Sequence, residues 1–469
     1  MEIEVKEIGR VITEYFTSPK INQVAYKSGF VQRSQAKLNG LLFLQAFVFA
    51  SLEYVSLSLS KVVQSCADIG LNISEQGLDE RINQRSVAFM EQMFAEAMQL
   101  MVNKQALMVS LLAQFSAVNL IDSSGIPLPA SMATMYPASR NLQAANLKLR
   151  LVFDFLYSRL QQVLFVAGRQ ADQGFSSYLT IIQANSLNIM DLGHFNLTNF
   201  KEIASKDAFY LSRYHHGSKV LNLQGMELDL LQQLSNQPDP VVELEVLVSR
   251  AHRLPCRLVA FRLKQEVVDQ RRRKAKEAAK RRGKTLSSTV SALLAWSIYL
   301  TNAPAERLTP PQIAVLYRLR WQIELLFKLI KSHFGLRRFA QLRPERILTE
   351  LYAKLIAVVL FLFILAPVRL PFAHQPQREI SPVKVRRICQ RFARTISQQI
   401  GHRDMLHDTL HLLIHNILTF AFKQKRIKNP NICYSLILAS AFFQLPSETE
   451  QSSLDFYLLD FAHIALSPT

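Results

Sequence analysis

The chain has 469 residues, 49% of them hydrophobic, and carries a formal net charge of +19 at pH 7. This length and apolar content exclude a disordered chain and predict roughly three domains with at least one large core. The excess of cations predicts a polyanionic partner, which is either nucleic acid or an anionic membrane surface.

Several classes of protein are excluded by what the sequence lacks. The longest apolar runs, residues 41–52 and 355–366, are shorter than the roughly 20 residues that cross a bilayer, so we interpret both as buried core helices. Residues 1–10 hold no apolar signal region, and the four cysteines are widely separated, which predicts reduced core thiols in a cytoplasmic protein. Neither a glycine-rich phosphate loop nor a Gly-x-Ser-x-Gly elbow occurs, which argues against ATP-driven and acyl-transfer enzymes.

Residues 1–112 are predicted to form a helical N-terminal region. Within it, residues 60–83 hold a short helix, Gly70, a turn with Ser74 as N-cap, and a second short helix. This arrangement is typical of a helix-turn-helix that reads DNA, and equally of a helical hairpin that closes a bundle. Both interpretations stay open.

The pattern changes to strands after residue 115. The apolar run 117–121 ends at Asp122, which is followed by two serines and a glycine, so we predict a strand whose carboxyl end presents an acid. A second short strand, residues 187–190, ends in the same way at Asp191. The other elements predicted here are a hairpin, a helix, and a fifth strand that precedes Arg213: residues 147–156 with 162–167, 175–184 and 208–211.

Three strands, a helix and two more strands follow the order of the ribonuclease-H-like fold, an α/β fold. Its first and fourth strands lie side by side, so we expect Asp122 and Asp191 to meet. Two such carboxylates and a third from a helix suit a pair of divalent ions that clamp the attacking and leaving oxygens of a phosphoryl displacement. Asp154, Asp172 and Asp207 are rival acids, which we interpret as solvated or turn-capping residues.

Residues 217–305 exceed what a minimal ribonuclease-H-like core needs and are predicted to form a β-rich insertion. Between residues 271 and 284 nine residues are basic and only Glu277 is acidic. Such a run would repel itself unless anions bind, so we predict DNA binding that weakens steeply with salt; a solvated helix face is the ordinary alternative. The basic run is flanked by strand-like segments at 241–250, 256–263 and 293–302.

Residues 316–335 are the most informative stretch and are predicted to form one helix, with Pro310 and Pro311 near its start and Gly335 at its end. At about 100° per residue, four polar residues share a stripe about 60° wide. They are Tyr317, Arg320, Glu324 and Lys331. An adjoining apolar band must face a core: Leu319, Ile323, Leu326, Phe327, Ile330 and Phe334. Glu324 is then either a partner in ordinary i,i+4 ion pairs or a metal-binding carboxylate beside cations that hold phosphates.

The chain after Gly335 is predicted to be helical. Residues 306–370 complete the core with a very apolar helix, and residues 371–469 form a helical C-terminal region. His407, His411 and His415 share one helix face. We interpret them as partly exposed interface residues rather than a metal site, because no carboxylate or cysteine is expected to join them.

Three motifs carry a resemblance to a known family. The spacing Tyr-x2-Arg-x3-Glu-x6-Lys within YRLRWQIELLFKLIKS resembles the signature of bacterial insertion-sequence transposases of the DDE type. The sequences IDSSGI and MDLGHF resemble the two aspartate motifs of that family. The second departs a little, because the family more often has an aromatic residue and a glycine in tighter order with an arginine, where this chain has Leu192. The resemblance extends from about residue 35 to residue 370.

The resemblance implies a cut-and-paste enzyme that cleaves the DNA ends of its element and joins their 3′ ends to target DNA. It implies two Mg²⁺ ions, replaceable by Mn²⁺, at Asp122, Asp191 and Glu324, and a homodimer on the element ends and target DNA, with no membrane involved. The implied DNA-binding residues hold phosphates, contact the DNA end or stack on a flipped base: Tyr317, Arg320, Lys331, Arg213 and Trp296, joined by Arg271, Arg272, Arg273 and Lys274 of the basic run.

Two other functions remain compatible with the sequence. One is a DNA-binding protein that has lost catalysis, which the presence of all three acids argues against. The other is a metal-dependent nuclease, which the retained insertion argues against. A peripheral membrane protein is a poor third alternative, because no long basic amphipathic anchor is present.

Overall fold

The computed structural model describes residues 4–32, 37–103, 105–107, 109–139, 144–339, 343–376, 378–424 and 432–440. The helices of these ranges are α1 (Val5–Thr17), α2 (Pro19–Lys27), α3 (Gly40–Glu53), α4 (Leu59–Asp68), α5 (Glu75–Arg81), α6 (Gln84–Leu100), α7 (Ser110–Ala113), α8 (Leu197–Ser205), α9 (Leu230–Ser235), α10 (Gln265–Arg281), α11 (Ser288–Leu293), α12 (Pro310–Arg318), α13 (Arg320–His333), α14 (Pro344–Arg369), α15 (Pro382–Gln399), α16 (Arg403–Phe420) and α17 (Ile432–Ser440). The strands are β1 (Val118–Leu128), β2 (Ala145–Asp154), β3 (Arg159–Ala167), β4 (Leu187–Met190), β5 (Phe209–Arg213), β6 (Val220–Leu221), β7 (Val241–Val248), β8 (Leu254–Arg262) and β9 (Trp296–Thr301).

The chain divides into two compact units, each assembled from distant segments. The first unit comprises Met1–Met108, Ser123–Gln170 and Glu324–Asn431, and the second comprises Val109–Asp122, Ala171–Ile323 and Ile432–Thr469. The domain boundaries expected from the sequence remain a prediction.

The first unit is mainly a helical bundle around α14. This helix packs against α3 and α6, and nearly all of its residues from Ile347 to Val368 are buried. The prediction that the apolar run 355–366 is too short to cross a membrane was wrong, because it belongs to a continuous helical segment, Pro344–Phe372, of 29 residues. Burial of 72% of its most apolar window assigns this segment to the protein core, as expected for a core helix.

The remainder of the first unit confirms several local predictions. The hairpin is present as antiparallel β2 and β3, beside β1. The predicted helix, turn and helix appear as α4, Gly70 and α5, and the Ser74 hydroxyl accepts a hydrogen bond from Gly77 N at 3.1 Å. The Asp79 carboxylate of α5 pairs with Arg343 and Arg346 at the start of α14, which ties this hairpin to the bundle.

The second unit contains an extended mixed sheet. Its strands hydrogen-bond in the order β1-β4-β5-β9-β8-β7-β6. The pairs β1/β4 and β4/β5 are parallel, whereas β9 joins β5 antiparallel and the segment predicted as an insertion continues the sheet. The chain therefore has a mixed α/β fold with a large sheet.

Two predictions about strands and helices near the first acid were wrong. Strand β1 does not end at Asp122 but continues to Leu128. Gly125, which suggested a turn, lies inside the strand, where an added Cβ would sit 2.9 Å from Asn146 Oδ1, so the glycine permits close approach rather than a turn. Residues 175–184 do not form an α-helix; a short 3₁₀ helix covers Ser177–Ile181 instead.

The single helix predicted for residues 316–335 is in fact two. Helix α12 ends at Arg318 and α13 begins at Arg320. At the junction Leu319 N donates to Leu316 O at 3.0 Å, an i→i+3 bond that tightens the backbone locally. A constant 100° per residue therefore does not hold across the stretch. The apolar band is buried as predicted: Leu319, Ile323, Leu326, Phe327, Ile330 and Phe334.

The C-terminal region is helical through α15, α16 and α17, as predicted. Residues 441–469, which the prediction also covered, lie outside the described residues.

Candidate active site

The first two predicted acids share one register position on adjacent strands. Parallel β1 and β4 pair from Val118 with Leu187 to Ile121 with Met190, so Asp122 and Asp191 are the residues that follow the last paired positions. The prediction that the first and fourth strands lie side by side is confirmed. Strand pairing brings these carboxylates together.

A buried amide pair specifies this register. Asn119 and Asn188 face each other across β1 and β4, and Asn119 Nδ2 donates to Asn188 Oδ1 at 2.9 Å. Asn188 Nδ2 in turn donates to Phe209 O at 3.0 Å, which ties β4 to β5. A slip by one residue would leave buried amide groups unbonded, so these residues hold Asp122 opposite Asp191.

A histidine that sequence reasoning did not select completes the cluster. Asp191 caps a 3₁₀ turn, its Oδ1 accepting hydrogen bonds from Gly193 N at 2.9 Å and His194 N at 3.3 Å. The turn brings His194 Nε2 to 3.8 Å from Asp122 Oδ1. One ligand atom from each of Asp122, Asp191 and His194 lies within 4.8 Å of the others. The signal was present in MDLGHF, where a histidine follows the acid by three residues.

The donor set of this cluster fits a divalent cation. Two carboxylates supply hard oxygen ligands and the imidazole supplies a nitrogen ligand. His194 is only 2% exposed, and the Phe175 ring packs against its imidazole at 5.8 Å between centroids. Asp122 and Asp191 are both partly accessible, so the cluster can be reached from solvent.

Tyr317 lies within electrostatic range of two cations and of Asp191. Burial raises the pKa of the Tyr317 phenol well above its usual range; the positive charges of Arg320 and Arg213 oppose this rise and the negative charge of Asp191 adds to it. Three of the predicted site residues, Arg320, Arg213 and Asp191, therefore act electrostatically on a fourth, Tyr317. Tyr317 is buried, and its ring lies 5.1 Å from that of Tyr299 on β9.

The remaining residues of the signature lie on α13. Glu324 is half-buried, and its inclusion in the metal site remains a prediction. Lys331 is nearly buried and its ammonium group hydrogen-bonds to Ser124 Oγ, two residues beyond Asp122 on β1. Gly335 ends the segment at φ +69°, where an added Cβ would lie 1.9 Å from Val55 O.

Arg271 and Trp296 are buried beside each other in the second unit. Trp296 is 5% exposed, with the Arg262 guanidinium 4.8 Å from its ring centroid. Arg271 is 3% exposed and donates to Trp296 O at 3.3 Å and to Ser297 Oγ at 2.9 Å. Burial, together with the charge of Arg213, lowers the pKa of Arg271 to about 9.

The rest of the basic run lies on α10 and just after it. Arg272 Nε donates to Ser291 O at 2.9 Å, Lys274 is half-buried, and Arg273 is exposed. The other exposed cations of the run are Lys276, Lys280, Arg281, Arg282 and Lys284. The DNA-binding roles of Arg213, Trp296 and the run remain predictions.

The rival groups have other surroundings. Asp154 is fully buried and accepts hydrogen bonds from Leu156 N at 3.1 Å and Arg159 Nε at 3.2 Å, so it caps the β2/β3 turn. Asp207 is exposed in a turn with φ +53°. On α16, His407 and His411 approach each other to 3.1 Å between their Nε2 atoms.

Comparison with known proteins assigns the chain to a family. A family model described as a transposase DDE domain matches residues 113–360, which is more than half of the chain and includes both aspartates and α13. The chain belongs to the DDE transposases. This family assignment gives the protein an enzymatic function, DNA transposition, and implies the use of divalent metal ions and binding to DNA.

Individual relatives are bacterial. This transposase is 26% identical to the transposase of insertion sequence element IS231F from Bacillus thuringiensis subsp. israelensis, over 91% of its own length and 93% of the relative's. It is 23% identical to the transposase of IS1151 from Clostridium perfringens, over 91% and 95% of the two lengths. A solved structure of piggyBac transposase in a synaptic complex with hairpin DNA has a TM-score of 0.45 at 9% identity, covering 87% of this chain and 85% of that one.

Proposed function

We propose that this transposase cuts its element out of DNA by hydrolysing phosphodiester bonds at the element ends and then joins the freed 3′ ends to target DNA. The observation that carries the proposal is the placement of Asp122 and Asp191 at one register position of β1 and β4, with ligand atoms within 4.8 Å. The strand order β3-β2-β1-β4-β5 supports a ribonuclease-H-like core around this pair. Glu324 supplies the third carboxylate.

Asp122, Asp191 and Glu324 would hold two Mg²⁺ ions, with Mn²⁺ able to replace them. Such ions activate water for attack on the phosphodiester and stabilise the leaving 3′ oxygen. Around them, the chain orients the substrate. Arg320 provides a planar guanidinium that can bind a phosphate through two hydrogen bonds, and Tyr317 provides a neutral donor beside it.

The remaining DNA contacts extend outward from this centre. Lys331, held by Ser124, and Arg213 supply positive charge for phosphates near the cut. Trp296 would stack on a base flipped from the duplex only after its ring, buried beneath the Arg262 guanidinium, is uncovered on DNA binding. The exposed cations of α10 contact the flanking DNA, which carries the element's terminal repeats. A homodimer that holds two element ends and the target together, associated with the nucleoid, is the assembly we propose.

The test is cleavage of a supercoiled plasmid that carries the element's own ends, with Mg²⁺ or EDTA. The native chain and Asp207→Asn, which removes the same charge from an exposed turn, should cut and join in Mg²⁺. Asp191→Asn and Glu324→Ala should bind the plasmid without cutting it.

Each other outcome has a definite meaning. Cleavage by Glu324→Ala at the native rate would remove Glu324 from the metal site. Cutting without joining by the native chain would indicate a nuclease, and salt-sensitive binding without any cutting would indicate a DNA-binding protein that has lost catalysis.

The salt dependence of DNA binding tests the role of α10 separately. Replacing exposed Arg273 and Lys276 by alanine should lower the slope of log K against log salt by about 2, because each phosphate contact releases counterions. Exposed Lys6 and Lys27 on the first unit provide a charge-matched control pair, whose replacement should leave the slope unchanged. Equal slopes for both pairs would contradict a role of α10 in binding DNA.

A further inference from the structure

His194 has the surroundings of a metal ligand rather than of an ordinary core residue. Its ring is almost fully buried, yet it points Nε2 to within 3.8 Å of Asp122 Oδ1. That separation is longer than a hydrogen bond between nitrogen and oxygen. Two donors that each lie about 2.1 Å from one ion are separated by about 3 to 4 Å, which matches the observed separation.

Two structural features hold the imidazole in this position. The backbone N–H of His194 donates a hydrogen bond to the Asp191 carboxylate at 3.3 Å. Asp191 therefore also fixes the backbone from which the histidine side chain projects. The Phe175 ring closes the other side of the imidazole. The histidine is therefore placed by the same turn that places Asp191.

We propose that His194 is a nitrogen ligand of the metal site formed by Asp122 and Asp191, and that it makes this site bind Mn²⁺ in preference to Mg²⁺. The inference rests on the proposed function, in which the two aspartates bind a divalent ion. Carboxylate oxygens alone suit Mg²⁺, whereas an imidazole nitrogen favours transition-metal ions over Mg²⁺. A site with two oxygen ligands and one nitrogen ligand therefore discriminates between the two ions.

The direct test is pulsed electron paramagnetic resonance on the full chain loaded with Mn²⁺, without DNA. We expect modulation of the Mn²⁺ echo by a directly bound ¹⁴N nucleus, and a changed modulation when the chain is labelled with ¹⁵N-histidine. A merely structural histidine would not couple to the ion. Because the native chain is used, this measurement does not depend on the folding of a variant.

Binding measurements on variants test the ion preference. We expect His194→Gln to weaken Mn²⁺ binding about tenfold, with a smaller effect on Mg²⁺, so that the ratio of the two dissociation constants moves toward one. His216→Gln removes a half-buried imidazole outside the cluster and should leave both constants unchanged.

The outcomes separate this inference from the proposed function. Mn²⁺ binding that is lost in the Asp122→Asn/Asp191→Asn variant but shows no nitrogen coupling in the native chain would overturn the role of His194 alone. Mn²⁺ binding that the double variant leaves unchanged would overturn the metal site itself. Equal losses of Mn²⁺ and Mg²⁺ affinity in His194→Gln would overturn the proposed ion preference.

Discussion

Gly335 is the position at which a single methyl group is expected to cost most. At φ +69° an L-residue is strained by about 1–2 kcal/mol. In addition, the Cβ of Gly335→Ala would lie 1.9 Å from Val55 O, so the backbone at one of these positions must move by about 1 Å to reach the 3.0 Å below which such contacts are essentially not found. Overpacking of this kind costs about 1–3 kcal/mol or more, which gives about 2–5 kcal/mol in total.

Gly70→Ala is the matched control, because it separates backbone strain from the clash. Gly70 has φ +81° in the same unit, and a Cβ there would meet no other described residue within 4 Å. We therefore expect Gly70→Ala to lower the free energy of unfolding by about 1–2 kcal/mol only. Urea unfolding of both variants measures the difference. Equal losses of stability, or native stability in Gly335→Ala, would refute the reasoning.

The same substitution should also affect catalysis. Gly335 follows α13, which carries Glu324 and Lys331, and its carbonyl oxygen accepts a hydrogen bond from Lys354 Nζ at 2.8 Å. A displacement of about 1 Å in the groups that hold a substrate can reduce a rate about 100-fold. DNA cleavage by folded Gly335→Ala, measured below its unfolding transition, should therefore fall while Gly70→Ala retains cleavage.

Three further predictions concern buried polar groups. Lys354→Met should lower the free energy of unfolding, measured in urea, by about 3–5 kcal/mol. The substitution removes the ammonium group that lies 2.6 Å from the buried Glu350 carboxylate in the native protein. Burial and nearby cations lower the pKa of His216 to about 4. Between pH 6.5 and 4 only the unfolded state binds the proton, so the free energy of unfolding should fall by at most about 3 kcal/mol as the pH drops through this window. Urea unfolding at several pH values measures this fall. Asn188→Leu should cost about 1–3 kcal/mol by leaving Asn119 buried without its amide partner, again measured in urea.

Each of these predictions has a variant that isolates its cause. Glu350→Leu/Lys354→Met removes both charges and should recover most of the loss, since burial shifts the pKa of each partner toward its neutral form. His216→Asn should abolish the stated pH dependence, and its persistence would assign the effect to another group. Asn119→Leu/Asn188→Leu should be close to native stability, and a loss as large as that of the single variant would contradict the account.

The acids of the site could be predicted because the evidence for them is local. Asp122 and Asp191 each directly follow a short apolar run that forms a buried strand segment, although β1 continues past Asp122 to Leu128. Their meeting then depends only on strand order. His194 was missed because its approach to Asp122 depends on a 3₁₀ turn capped by the Asp191 side chain, which strand periodicity does not describe.

Two other features, the break at Leu319 and the burial of Arg271, were not predicted, and the reasons differ. The break at Leu319 has no proline or glycine to mark it, so a continuous helix was the natural expectation. The burial of Arg271, in contrast, had a sequence signal. Val267 and Val268 lie four and three residues earlier on α10 and are both buried, so the inward face of the helix reaches Arg271 one turn later. A count of basic residues hides this difference between one arginine and its neighbours.

The electrostatics around Asp191 also restrict what Tyr317 can do. Burial and the Asp191 carboxylate both favour the neutral phenol, and the charges of Arg320 and Arg213 do not reverse this, so the pKa of Tyr317 stays above its usual range. At neutral pH the hydroxyl is therefore protonated, so in the proposed DNA complex it would donate a hydrogen bond to a phosphate rather than accept a proton from water. In the proposed mechanism, removal of that proton would therefore fall to groups on the carboxylate side of the site, and the tyrosine and arginines would act in substrate binding.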